Sequence, residues 1–343
     1  MKNVKMRFAI LGALSFTSLQ VFAAGSLQPL VAAPTGSAYI NCYNSGRVIP
    51  PLAGPAETTF NARSNFGITG LGGSSGVCEI TGLANDAIPP LPGYGPQLAT
   101  TAQSFTNVAG TQIIGNVTER VWRKPAGTAP VTPTNMCIIG TKVNMNGNFA
   151  YDTTNFELND ITRGGYNGLG TVNVGYFALS STPALSPVYR AGRTFTAVQH
   201  RAYKYAGTTA ERQNNGTNYL DLPSIGTTAP STPINGVNAP ILGGAIASAT
   251  AAQQEAAVAD GWVDFTVDAA VADDDGGNNP ISAMTYIEFP CGTNTDNQAT
   301  INSTWRKAGA LRLRRTAQEN TTFGEIVLTG YAPPGATVTV PTP

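Results

Sequence analysis

Ser74 lies in Gly72-Gly73-Ser74-Ser75-Gly76, the G-x-S-x-G spacing that mounts a serine nucleophile on a sharp turn. His200, the single histidine, follows it in the chain order of an α/β-hydrolase triad. The chemistry would be acyl transfer. The context does not supply it, because the elbow needs a strand, a tight turn and a helix, whereas Cys78 and a Pro-rich stretch follow here. His200 sits in FTAVQHRAYKY, where alternation places Thr196, Val198 and His200 on one face of a strand. Without a carboxylate or serine beside it, it reads as hydrogen-bonded or solvent-facing. Glycoside hydrolysis by two carboxylates could draw its acids from distant strands, but the sequence singles out no pair.

Two charged clusters are candidates for binding. Asp273-Asp274-Asp275-Gly276-Gly277-Asn278-Asn279 offers loop oxygens of the kind that wrap Ca²⁺, with Asp273, Asp275 and Asn278 as candidate ligands. It lacks the EF-hand spacing, and a solvated acidic turn is the preferred reading, with calcium the alternative. Arg306, Lys307, Arg312, Arg314 and Arg315 form the second cluster. Leu311 and Leu313 alternate with Arg312 and Arg314, giving a strand with one apolar and one cationic face. Contact with anionic polysaccharide or lipid headgroups through Arg312 and Arg314 competes there with the preferred reading, a solvated or salt-bridged strand.

The leader sets the compartment in which any of this would operate. Lys2, Lys5 and Arg7 precede an apolar stretch that closes on small residues at Ala23, the pattern of a secretory signal peptide over residues 1–23. Export makes the four cysteines, Cys42, Cys78, Cys137 and Cys291, a disulfide set. Three pairings are open. The favoured one joins Cys42 to Cys78, both in one Gly/Pro-rich segment, and Cys137 to Cys291. On the loop-entropy argument the bridges would contribute at most about 4 and about 5 kcal/mol. One histidine and dispersed cysteines leave no zinc spacing.

Removing the three cations of the leader from 20 basic residues leaves 17 against 20 acidic ones, a net charge of −3. That balance argues against nucleic acid, which needs a basic excess. Charged residues are 12% of the chain, about half the usual share of roughly 25%, so Thr, Asn, Ser and Gly must cover the surface. Hydrophobic residues at 42% supply a core.

With 38 Gly and 24 Pro spread throughout, turns punctuate the chain. Short alternating runs between them predict strands at residues 38–43, 115–122, 171–178, 193–203, 262–267, 285–289, 310–314 and 324–328. Residues 142–152 read as a hairpin turning at Asn146-Gly147, a dipeptide that tolerates a type I′ turn. A helix is expected over 251–259, capped at Thr250 and ended by Gly261, with one further helical turn at 156–163. The fold class is mainly β: an antiparallel β-sandwich, or sandwiches, with long Gly/Pro-rich loops and about one short helix. Two units are expected, 24–222 and 245–332, joined by a linker at 223–244 and followed by a tail at 333–343. A single elaborated domain is the alternative. The strands at 262–268 and 310–315 should share a sheet, adjacent or one strand apart, with Asp–Arg pairing across an exposed outer face.

The stretches WVDFTVDAAVADDDGG (262–277), LRLRRTAQENTTFGEIVLTGYAPPG (311–335) and FELNDITRGGYN (156–167) resemble uncharacterised secreted proteins of Gram-negative bacteria. The resemblance implies export to the periplasm or exterior and brings no activity with it. Together these observations predict an exported, non-catalytic structural, adhesive or binding protein whose partners are polysaccharide, cell-surface components or copies of itself. No cofactor is required, calcium being the one candidate. The alternatives are a secreted hydrolase with acids dispersed among strands and an outer-membrane barrel, the latter disfavoured by the proline density.

Overall fold

Alternation along each strand sorts its side chains between a shared core and an outer face. In the computed structural model, residues 27–30, 39–43, 78–79, 81–83, 85–147, 150–152, 154–179, 188–193, 260–271, 280–316 and 323–340 are described. They contain β1 (Gln28–Leu30), β2 (Tyr39–Tyr43), β3 (Cys78–Glu79), β4 (Thr81–Leu83), β5 (Ala99–Thr106), β6 (Ile113–Lys124), β7 (Asn135–Met145), β8 (Leu158–Gly164), β9 (Val172–Leu179), β10 (Val188–Gly192), β11 (Trp262–Ala269), β12 (Met284–Gly292), β13 (Arg306–Thr316) and β14 (Phe323–Tyr331). One sheet runs β1-β9-β12-β7-β6-β5, with β4 also paired to β9, and is called sheet A. Sheet B runs β14-β13-β8-β11-β10-β2-β3. All pairings are antiparallel except β2–β3 and β4–β9.

The register aligns apolar rows on the inner faces. Val121, Ile139, Ile287 and Val174 lie side by side in sheet A. Ala191, Phe265, Ile161, Leu313 and Ile326 do so in sheet B. These rows join in one core that runs from Leu30 to Tyr331. The fold is therefore the mainly β, antiparallel sandwich that the alternation predicted. The expected boundary at 223–244 does not separate two cores. Strand β12 lies between β9 and β7, and β8 lies between β13 and β11, so both halves of the chain contribute to each sheet.

Two local expectations are corrected. Residues 156–163, read as a helical turn, instead contain most of β8, every residue of which is buried. A strand buried on both sides loses the polar/apolar alternation that marks a half-buried one. The hairpin at Asn146-Gly147 is not formed, because β6 and β12 occupy both edges of β7, although Gly147 keeps the positive φ of 62° that its turn needs. The tail is docked through Val340. The Trp262 indole donates to the Thr339 carbonyl at 2.7 Å, and Ala336 and Val338 pack by Gly165. Among the described residues the one short helix is α1 (Gln298–Thr300), capped by the Asn297 side chain, which accepts from the Thr300 N–H at 3.0 Å. It continues as a wider turn over Ile301–Trp305. The helix expected at 251–259 lies outside the described residues.

Each sheet carries a tryptophan laid across a glycine on its outer face. On sheet B, a Cβ at Gly164 would come within 2.8 Å of the Trp262 ring. On sheet A, a Cβ at Gly140 would meet Trp122 at 2.9 Å, Tyr286 at 3.0 Å and Met284 at 3.1 Å. The two glycines clear the space in which these rings lie flat. A proline-rich strap over residues 86–98 then closes sheet A's aromatic cluster. Leu91 and Tyr94 pack on Trp122, Phe177 and Tyr286, and the Trp122 indole donates to the Ala87 carbonyl at 3.2 Å. Gly140→Ala is expected to destabilise the protein by about 1–3 kcal/mol through overpacking. Urea unfolding measures it, and an unchanged midpoint would contradict the close packing described.

Candidate functional site

The sandwich interior holds an ion pair. Glu119 on β6 faces inward from sheet A, and Arg163 on β8 faces inward from sheet B. Their side chains are 0% and 1% exposed and meet as a salt bridge. The Arg163 guanidinium also donates to the Thr141 hydroxyl at 2.7 Å and to the Tyr331 carbonyl, while the Tyr331 N–H donates to Glu119 at 3.1 Å. Burial acts to strip Arg163 of its proton. The Glu119 carboxylate and Tyr166 more than offset it, so the pKa of Arg163 is raised. Burial pushes the Tyr166 hydroxyl up to about 12.

A second polar group covers the outer face of sheet B. The register sets Asp264, Thr162 and Arg312 in one row, and Thr266, Asp160, Arg314 and Glu325 in the next. Thr162 donates to Asp264 at 2.8 Å. Arg312 and Arg314 share Glu325, Arg314 Nε donating at 2.7 Å, and Arg312 stacks 5.5 Å from the centre of the Trp262 ring. Arg315 reaches Asp152 at 2.7 Å. On the outer face of sheet A, Glu288 accepts from the Tyr94 hydroxyl and the Asn173 amide, each at 2.6 Å. Burial first, and then this carboxylate, raise the Tyr94 pKa.

The strands expected to pair charges are in one sheet, one strand apart, with β8 between β11 and β13. The acid shared by Arg312 and Arg314 is Glu325 on β14, the neighbour on the other side. The outer face is not exposed as expected, since Asp264 and Asp160 are 0% exposed and Arg314 is 2% exposed. The candidate anion-binding pair Arg312 and Arg314 thus sits in a covered ion-pair network.

Of the cysteines, Cys137 and Cys291 form a disulfide between β7 and β12, with Cα atoms 5.7 Å apart. The parallel register of β2 and β3 sets Cys42 opposite Cys78. Neighbouring strands lie about 4.8 Å apart, within the span a disulfide bridges. Ser74, His200 and the candidate calcium ligands Asp273, Asp275 and Asn278 lie outside the described residues. Among the described residues, no three His, Cys, Asp or Glu side chains converge as a metal site would require.

Sequence reasoning missed Glu119, Arg163, Asp160 and Glu325 as partners. Glu119 and Arg163 occupy positions where Val117, Val121 and Ile161 mark the inner face, so a charge at an inward position of the alternation was the available signal. Comparison of the chain with protein-family profiles, curated proteins and solved structures returned no match.

Glu119→Gln leaves Arg163 buried without its counter-charge, and a loss of about 3–5 kcal/mol is expected. Chemical denaturation reads it, and a loss below about 1 kcal/mol would contradict the assigned burial. Alkaline pH gives a separate test. Folded Tyr166 keeps its proton to about pH 12, whereas an unfolded tyrosine releases it near pH 10. This stabilisation is complete below pH 10 and is lost as pH rises to 12, a change of about 3 kcal/mol at most. Thermal melts between pH 9 and 12 should fall less steeply for Tyr166→Phe; equal slopes would exclude Tyr166 as a source.

Proposed function

We propose that this protein is exported from a Gram-negative cell and acts without catalysis, as a structural, adhesive or binding protein of the periplasm or cell surface. One observation carries the reading: among the described residues, acidic groups that could have done chemistry are committed to holding the sandwich. Glu119 is spent on Arg163 across the core, Glu288 on Tyr94 and Asn173, and Glu325 on Arg312 and Arg314. Asp86 pairs with Lys142 at 2.8 Å. Asp296 accepts from Asn294 at 2.8 Å and Trp305 at 2.9 Å, and those two hydrogen bonds hold its carboxyl below the ordinary range. A catalytic acid or base needs a face toward substrate, and these groups face their partners. The leader pattern and the Cys137–Cys291 bridge support export.

The competing reading, a secreted hydrolase, rests on Asp160 and Asp264. They are diagonal neighbours on one face of sheet B, on β8 and β11. Turnover of ester, glycan or peptide substrates that disappears in both Asp160→Asn and Asp264→Asn would replace the non-catalytic reading. For protein recovered from the periplasm or medium, the expected results are an N-terminus at Ala24, no free thiol on denaturation without reductant, and no turnover. Two titratable thiols would remove the Cys42–Cys78 bridge, and an intact leader would remove export.

A further inference from the structure

Among the described residues, the long edge strands that end the two sheets without a further neighbour lie on one flank. Strand β5 ends sheet A and β14 ends sheet B. They lie one above the other, since the Gln103 amide of β5 donates to the Thr329 carbonyl of β14 at 2.6 Å. Among the described residues nothing pairs with the outer edge of β5. The terminal strands at the opposite ends are β1, β4 and β3, of three, three and two residues. Short strands blunt an edge, as do charges and prolines placed along it. Strand β5 has eight residues and reads ATTAQSFT, with neither charge nor proline. Beneath it β14 leaves the core-packed Ile326 and Leu328 only half-buried, so the core reaches the surface along the same flank.

We propose that this flank binds a second copy of the chain, β5 pairing antiparallel with its two-fold mate and joining the two copies of sheet A into one continuous sheet. Opposed residues in such a pair must share a face, which selects a two-fold axis at a residue and not between two. Centred on Ala102, the axis sets Ala102 against itself, Thr100 against Ser104, Thr101 against Gln103, and Ala99 against Phe105. Each pair is uncharged, and its members lie on the same side of the sheet. The self-complementarity that a closed dimer requires is met by β5 alone. Strand β14, carrying Glu325, would sit below the join and contribute the apolar margin. A strand about 27 Å long on a flank two layers deep covers about 500 Å² per copy. The total of about 1,000 Å² is at the lower limit for a specific interface, so a micromolar dimer is expected. The inference does not depend on the non-catalytic reading, since an enzyme could dimerise by the same edge.

Sedimentation velocity of the mature protein, up to about 200 µM, tests it. Wild type should pass from monomer to dimer with concentration. Ala102→Lys sets two ammonium groups against each other at the axis and should raise the dissociation constant at least tenfold. Thr118→Lys, one strand in on the same face and opposite Ala102, should change it less than twofold. Ala102→Cys should form an intermolecular disulfide on mild oxidation, a readout that survives if the lysine variant does not fold. Wild type that stays monomeric, a dimer indifferent to Ala102→Lys, or no cross-link through Ala102→Cys in folded protein overturns the proposal. Growth into open-ended polymers overturns the closed two-fold.

Discussion

Two opposite charges enclosed between two sheets fix how those sheets can meet. Moving either ion out of water costs several kcal/mol, recovered only if the partner charge and the remaining hydrogen bonds are in place. Glu119 and Arg163 meet that condition with groups from four strands: their own β6 and β8, Thr141 of β7 and the backbone of Tyr331 at the end of β14. Sliding one sheet over the other would separate the charges, and slipping β6 or β8 by one residue within its own sheet would turn that strand's inner side chains outward. The apolar rows drive the sheets together, and the ion pair selects one register among those that would also bury apolar surface.

The outer faces are organised differently. Hydrophobic side chains there need a cover, and in sheet A the strap over residues 86–98 provides it. It is held by the Lys142–Asp86 pair, the Tyr94–Glu288 hydrogen bond and the Trp122 indole. In sheet B the docked C-terminal segment reaches Trp262, and the Arg312–Arg314–Glu325 group lies beside it. The chain has only 12% charged residues, and among the described residues several of them serve as fasteners between strands. The same economy leaves β5 an uncharged edge.

Legibility in the sequence followed the environment of each strand. Strands β9, β11, β12, β13 and β14 could be read from alternation because one face was apolar and the other polar. Strand β8 could not. Its residues Asn159, Asp160, Thr162 and Arg163 are polar yet buried, and Thr162 and Arg163 meet Asp264 and Glu119, which only the folded chain brings near. Asn146-Gly147 gave a correct local signal, since Gly147 does take positive φ. A dipeptide, however, cannot show that both edges of the preceding strand are already taken. The Glu119–Arg163 pair was the least legible feature. The two residues are 44 apart in the chain, and each taken alone reads as a solvated strand charge. The outer charge pairing was anticipated as a same-sheet arrangement and missed in its partner, because Glu325 belongs to a strand whose neighbour was not yet known.

A double-mutant cycle between Glu119 and Arg163 tests the central claim most directly. With Glu119→Leu, Arg163→Met and the double variant unfolded in denaturant, each single change strands one buried charge and the double change strands none. The account predicts that the double variant loses far less than the sum of the singles, with a coupling energy of about 2–3 kcal/mol or more. Additive losses, with coupling under about 0.5 kcal/mol, would show that the two charges do not depend on each other, and the register of the sandwich would have to come from its apolar rows alone.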